Sequence, residues 1–145
     1  MINNTIFHLA IPINNIDKAK FFYCQQLGCA LGRETSKALI LNCYGHQVVA
    51  HITDEPLVRQ KSIYPRHFGI VFLVESDWLD LVGRVESLDI PFHLSPKQRF
   101  VGELTEHQTF FLEDPFYNYL EFKFYRHFEA IFGGKEFTAI GDRET

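Results

Sequence analysis

No run of about 18 consecutive apolar residues occurs in this chain, so no membrane-spanning helix is expected. Basic residues are also scarce. Lys and Arg number 14 against 18 Asp and Glu, for a formal net charge of -4, and no basic stripe is present. Nucleic acid is therefore not expected as a partner. Cysteine is sparse and odd in number, with Cys24, Cys29 and Cys43 forming no CxxC pair. That usage predicts free thiols in a reducing cytoplasm. The opening residues MINNTIFHLAIP lack a basic region followed by a long apolar stretch, which predicts no secretory signal. What the chain does have is apolar bulk: 46% of its residues are hydrophobic, and 15 of them are phenylalanine. A length of 145 residues suits one domain, and such a chain can bury about 68–70% of its unfolded surface.

One pattern is written twice along the chain. Thr5–Pro12 reads as a strand. Asn15 then offers a helix N-cap, Ile16, Ala19, Phe22, Tyr23 and Leu27 recur at helical spacing, and Gly28 supplies the stop. Three short strands are predicted near Cys29–Glu34, Ala38–Cys43 and Gln47–Thr53, and the polar stretch Asp54–Arg66 reads as a linker. The order then repeats. His67–Val74 is a strand, Ser76 can cap a helix, and Trp78, Leu81, Val82, Val85 and Leu88 make one apolar stripe. Three more strands fall near Lys97–Glu103, Gln108–Glu113 and Tyr117–Tyr125, with a turn at Asp114-Pro115. The tail, 126–145, is expected to add a short helix and then fray. The expected fold is α+β and a single domain: two tandem βαβββ units, about 5–53 and 67–125, forming a cupped mixed β-sheet. Its convex face would carry the helices and its concave face a ligand.

Strand alternation sorts the polar side chains. His8 lies opposite Phe7, Leu9 and Ile11; His67 lies opposite Phe68, Ile70 and Phe72. His51 shares a face with Gln47 and Val49, and Glu121 shares one with Tyr119 and Lys123. The small neighbours Ala10 and Gly69 would leave room beside the two strand-initial imidazoles. His8 and His67 hold corresponding places in the two units, and so, on this reading, do His51 and Glu121. Two imidazoles and a carboxylate suit a borderline divalent ion and leave positions open for substrate. A lone strand histidine is more often structural, and His46, His93, His107 and His127 read as loop or surface residues, with His107 a distant candidate for the cavity rim.

The segments FHLAIPI, RHFGIVF and FFLEDPFYNYLEFKFY, each in its place relative to a helix or turn, resemble the glyoxalase/bleomycin-resistance/dioxygenase superfamily over Thr5–Tyr125. The resemblance implies that His8, His67 and Glu121 are a metal-binding triad, that in glyoxalase-type lyases a fourth ligand comes from the place held here by His51, and that the protein forms a homodimer. At Phe116-Tyr117 the chain departs from the small residue and glycine such proteins commonly have, which predicts an altered turn.

Three functions are compatible with this pattern. A non-haem Fe(II) dioxygenase would use the 2-His-1-carboxylate set, with His51 as acid/base beside the open positions. A glyoxalase-like lyase or isomerase would use Ni²⁺, Zn²⁺ or Mn²⁺ to polarise a carbonyl. A metal-free small-molecule binding or resistance protein would lack the triad, so the triad's presence argues against it. The missing glutamate at His51 tips the choice to a dioxygenase-type oxidoreductase acting on a small organic molecule, with Fe²⁺ as the expected ion. Tyr119, Lys123, Glu103 and Gln108 are the candidate substrate contacts.

Overall fold

The computed structural model describes residues 4–141, so the end of the tail expected to fray lies outside the described residues. The chain forms two compact units. Unit 1 runs to Arg66 and also takes in Glu113–Asn118; unit 2 comprises His67–Leu112 and the chain from Tyr119 onward.

Unit 1 contains β1 (His8–Ile13), α1 (Ile16–Lys20), β2 (Ala30–Glu34), β3 (Ala38–Cys43) and β4 (His46–Ile52). Its sheet has the order β1-β4-β3-β2, with β1 parallel to β4 and the rest antiparallel. Asn15 caps α1, its side chain accepting from the Lys18 N–H at 2.9 Å. The helix then widens into π turns over Phe21–Gln26, and the Leu27 N–H reaches the Phe22 carbonyl. Gly28 ends it in the left-handed region, at φ 86°. Ile11, Ile13, Phe22, Tyr23, Leu39, Leu41, Val48 and Ala50 are buried and form this unit's core.

Unit 2 repeats the order with β5 (Phe68–Phe72), α2 (Glu75–Ser87), β6 (Leu94–Arg99), β7 (His107–Glu113) and β8 (Tyr119–Tyr125), arranged β5-β8-β7-β6. The structure has two four-stranded mixed sheets, one per βαβββ unit, which bears out the tandem repeat. The core of unit 2 is aromatic. Phe110 stacks on Phe122 at 5.2 Å and meets Trp78 and Phe92, while the Trp78 indole donates to the Phe122 carbonyl at 2.8 Å. A short 3-10 turn, Phe128–Ile131, follows β8.

Two local expectations are corrected. Ser76 does not cap α2, which begins at Glu75 with Val74 in the cap position and no side-chain acceptor. Acidic Glu75 and Asp77 in the first turn offset part of that loss by meeting the positive end of the helix dipole. The sixth strand is Leu94–Arg99, several residues before its expected place. Pro96 sits inside it, which an edge strand tolerates, and its pairing to β7 is irregular between Leu94 and Lys97. Residues beyond Arg99 form a turn in which Phe100 and Gly102 take positive φ.

Candidate functional site

In unit 1 the face of β1 that carries His8, Ala10 and Pro12 is exposed, while Ile11 and Ile13 on the other face are buried. The His8 ring is fixed by its strand partner: Nδ1 lies 2.7 Å from Gln47 Oε1, and the two residues are paired in the parallel register. Nδ1 therefore donates to the amide oxygen, and Nε2 is left with its lone pair, the form that binds a metal. His51 lies on the same face, exposed, opposite Pro12. A cleft of about 240 Å³ starts at Pro12 and is lined by Thr53, Leu57, Arg66, Phe116 and Asn118.

The turn that closes this unit is organised by Asp114. Its Oδ1 accepts from the Phe116 and Asn118 N–H groups, and its Oδ2 from the Tyr23 hydroxyl and the Asn118 amide. Burial pushes the Asp114 carboxyl above its usual value, against these hydrogen bonds. Tyr117 occupies the left-handed region at φ 67°, under the Arg59 guanidinium 4.8 Å from its ring centre. The departure at Phe116-Tyr117 is thus accommodated by a side-chain-braced turn.

Unit 2 gathers more chemistry. His67 Nε2 lies 3.1 Å from Glu121 Oε1, and the Thr109 hydroxyl donates to Glu121 Oε2 at 2.5 Å. Arg99 Nη1 stands 3.7 Å from Oε2 and Lys123 Nζ 3.8 Å from Oε1. Burial opposes charge on Glu121, but the His67 hydrogen bond, the Lys123 charge and the Thr109 hydroxyl outweigh it and hold the carboxyl below its usual value. Phe111 packs edge-on to the His67 ring at 5.0 Å.

The backbone behind Glu121 is equally specific. Gly69 pairs with Glu121, and a Cβ on Gly69 would fall 1.6 Å from the Glu121 carbonyl oxygen. Gly69 therefore makes room for the approaching strand, not for the His67 imidazole as its sequence position suggested.

The registers also correct the presumed equivalence of His51 and Glu121. Counting two residues from each strand-initial histidine, Ala10 pairs with Val49 and Gly69 with Glu121. Val49 is the counterpart of Glu121; His51, opposite Pro12, matches Lys123, opposite Val71.

Among the remaining candidates, Tyr119 is buried and its ring lies 4.5 Å from that of His93. Glu103 is exposed in the turn after β6. Gln108 lies on the face of β7 opposite to Thr109, where it bonds Glu75. His107 is not a surface residue: it is buried at 3% exposure on the Thr109 face. Thr109 and Arg99 are the site residues that sequence reading missed, and His107 was read as a surface or rim residue. The register of β7 places His107, Thr109 and Phe111 on one face, but both faces of that strand are largely buried, so apolar alternation does not single that face out.

Among the described residues, no three His, Cys, Asp or Glu side chains are gathered closely enough to hold an ion. The donor set still suits one chemically. Within unit 2, His67 and Glu121 are spaced as two ligand atoms at about 2.0–2.2 Å from a shared ion would be, and Glu121 is held ionised.

No helix among the described residues is long and apolar enough to cross a membrane. No curated protein matches the chain. A solved glyoxalase/bleomycin resistance protein/dioxygenase from Alicyclobacillus acidocaldarius is 41% identical, with a TM-score of 0.85 over 91% of this chain and 100% of its own. Lactoylglutathione lyase from Agrobacterium tumefaciens shares the fold at 16% identity and TM-score 0.65, over 90% and 98% of the two chains. A genomically encoded fosfomycin resistance protein from Listeria monocytogenes does so at 15% and 0.65, over 89% and 99%. The sequence profile of the Glyoxalase/Bleomycin resistance protein/Dioxygenase superfamily matches residues 5–122, and the chain belongs to that superfamily.

Proposed function

We propose that this chain is a metal-dependent enzyme acting on a small organic molecule, a dioxygenase-type oxidoreductase whose ion, Fe²⁺, is held by His8, His67 and Glu121. The observation that carries the proposal is the His67–Glu121 pair at 3.1 Å around a buried carboxylate kept ionised by its neighbours. When bound, such an ion supplies a Lewis-acid centre with positions open to substrate and O₂.

The chain's own residues do the rest. The Thr109 hydroxyl fixes one carboxylate oxygen, so that the other points to His67. Gln47 fixes the His8 tautomer. His51, exposed on β4 opposite Pro12, would exchange a proton with the bound substrate. Because Val49 stands where Glu121 stands in the second unit, unit 1 offers no carboxylate in that place. That favours a three-ligand site over the four-ligand site of the lyase alternative.

The test uses untagged protein, metal analysis, then anaerobic Fe(II) loading and an O₂-uptake screen over small aromatic and carbonyl compounds. One bound iron per chain with substrate-dependent O₂ uptake is expected. Tight binding of Ni²⁺ or Zn²⁺ with isomerase activity and no O₂ uptake would move the assignment to the lyase class. The homodimer belongs to the same proposal, and light scattering at micromolar concentration should give twice the 16.9 kDa chain mass.

A further inference from the structure

Of the buried polar or charged residues, Arg99, His107, Thr109 and Glu121 all belong to the sheet of unit 2. The Glu121 pair accounts for His67 and Thr109, but not for His107. Its Nδ1 donates to the Thr105 carbonyl at 3.0 Å, so Nε2 carries a lone pair. That Nε2 is buried with no hydrogen-bond partner among the described residues. A buried acceptor left unpaired costs free energy unless something else donates to it.

The surroundings of His107 say what could donate. Arg99 is its register partner on β6, and Lys97, two residues earlier, shares that face. Lys123 lies close enough for its charge to act on the ring. The Tyr125 ring packs 4.9 Å from the imidazole, and the Tyr125 hydroxyl accepts from Lys123 Nζ at 3.2 Å. Arg99 and Lys123 both stand within 4 Å of the Glu121 carboxylate, so two cations border the corner that holds His107. Burial and the Lys123 and Arg99 charges push the imidazole below its usual pKa, so it stays a neutral acceptor. Lys123 and Tyr125, at the border of the corner, are only partly buried.

We propose that the Arg99–His107–Lys123 corner is a subsite for an oxyanion that carries its own proton, a group of the hydrogenphosphate type. Its anionic oxygens pair with Arg99 and Lys123, and its O–H donates to His107 Nε2. A fully deprotonated anion of the same shape sets lone pair against lone pair and is rejected. This deepens the functional reading by naming the charge that the substrate carries, and it rests on that reading only for assigning the group to a substrate.

The test is calorimetry with inorganic phosphate and sulfate on the chelator-treated, full-length protein at neutral pH. Phosphate should bind at least about tenfold more tightly than sulfate. His107→Phe should bring phosphate down to the sulfate level. His107→Gln, which donates as readily as it accepts, should bring sulfate up toward phosphate and covers the case in which the phenylalanine variant does not fold. Lys123→Met should weaken both anions by a similar factor. Equal binding of the two anions by the unmodified protein, no phosphate binding at millimolar concentration, or a preference that survives in either His107 variant overturns the subsite. Fe(II) affinity measured on the same preparations separates this from the metal proposal: phosphate preference without iron binding sinks the metal site alone, and iron binding without the preference sinks the subsite alone.

Discussion

The two units share a topology and a strand-initial histidine, yet only unit 2 builds a buried charged face on its sheet. The same places, two and four residues on from that histidine, are paired to Val49 and His51 in unit 1 and to Glu121 and Lys123 in unit 2. In unit 1 the pair is an apolar residue and an exposed imidazole. In unit 2 it is a buried carboxylate and the lysine that helps keep it ionised. A repeated fold thus fixes where a side chain can project, while the residues on the neighbouring strand decide whether charge can be kept there. Thr109 and Arg99 provide that support beside Glu121.

The largest test of this difference is backbone, not side chain. Gly69 faces the Glu121 carbonyl so closely that any Cβ must push the strands apart. Gly69→Ala should cost about 2–4 kcal/mol and displace Glu121. Ala10→Gly, the mirror change in unit 1, should cost only about 0.5–1 kcal/mol through backbone entropy. Chemical denaturation of both variants checks the pair. Equal losses would mean that the close approach at Gly69 is not real.

The next effect contrasts two buried carboxyls by pH. Glu121 is lowered when folded, so its stabilisation is present above the unfolded value and is lost as pH falls through the lowered one. Asp114 is raised, so its contribution has the opposite sign: it is fully present below the unfolded value and is lost as pH rises through the raised one. Glu121→Gln should flatten the acid limb of the stability curve and also remove metal binding. Asp114→Asn should instead lose stability at neutral pH, because Oδ2 accepts two hydrogen bonds that an amide nitrogen cannot accept. Thermal melts across the acid and neutral range measure both.

Much of this was legible in the sequence, and the failures have physical reasons. The two units, the Asn15 cap, the Gly28 stop and the aromatic core follow from periodicity and turn chemistry. The strand LSPKQR was misplaced because it lies at the sheet edge, mostly exposed, and so carries no apolar alternation to read. Thr109 was missed, and His107 read as a surface residue, because both faces of HQTFFLE are largely buried, which erases the signal that tells one face from the other. The offset between His51 and Glu121 was invisible because both lie on the correct face of equivalent strands; only the register separates them.

That offset makes His51 a sharper probe than His8 or His67. His8→Ala and His67→Ala should each lower iron affinity at least about 10-fold, the scale seen even for residues that only support a ligand. His51→Ala should leave iron content intact while turnover falls by about 10²–10⁴, as expected for a lost proton carrier. Metal content and rate measured on one preparation decide it. Loss of iron would make His51 a ligand despite its register, and an unchanged rate would remove its role.

The smallest expected effect compares the two helix starts. In unit 1 the Asn15 side chain takes the Lys18 N–H, which otherwise has no acceptor in the first turn. Asn15→Ala should therefore cost about 1 kcal/mol. In unit 2 the cap position is Val74, and Ser76, although it looks like a cap in sequence, is already inside the helix. Ser76→Ala should change stability by less than about 0.5 kcal/mol, because an exposed helical serine gives up little and alanine is the better helix former. Val74→Asp should stabilise α2 by about 0.5–1 kcal/mol, since it supplies both the missing acceptor and a negative charge at the positive end of the dipole. Denaturant midpoints for the three variants order these effects. A Ser76→Ala loss as large as that of Asn15→Ala would show that the cap lies where the sequence pattern put it, two residues after the Val74 cap position of α2.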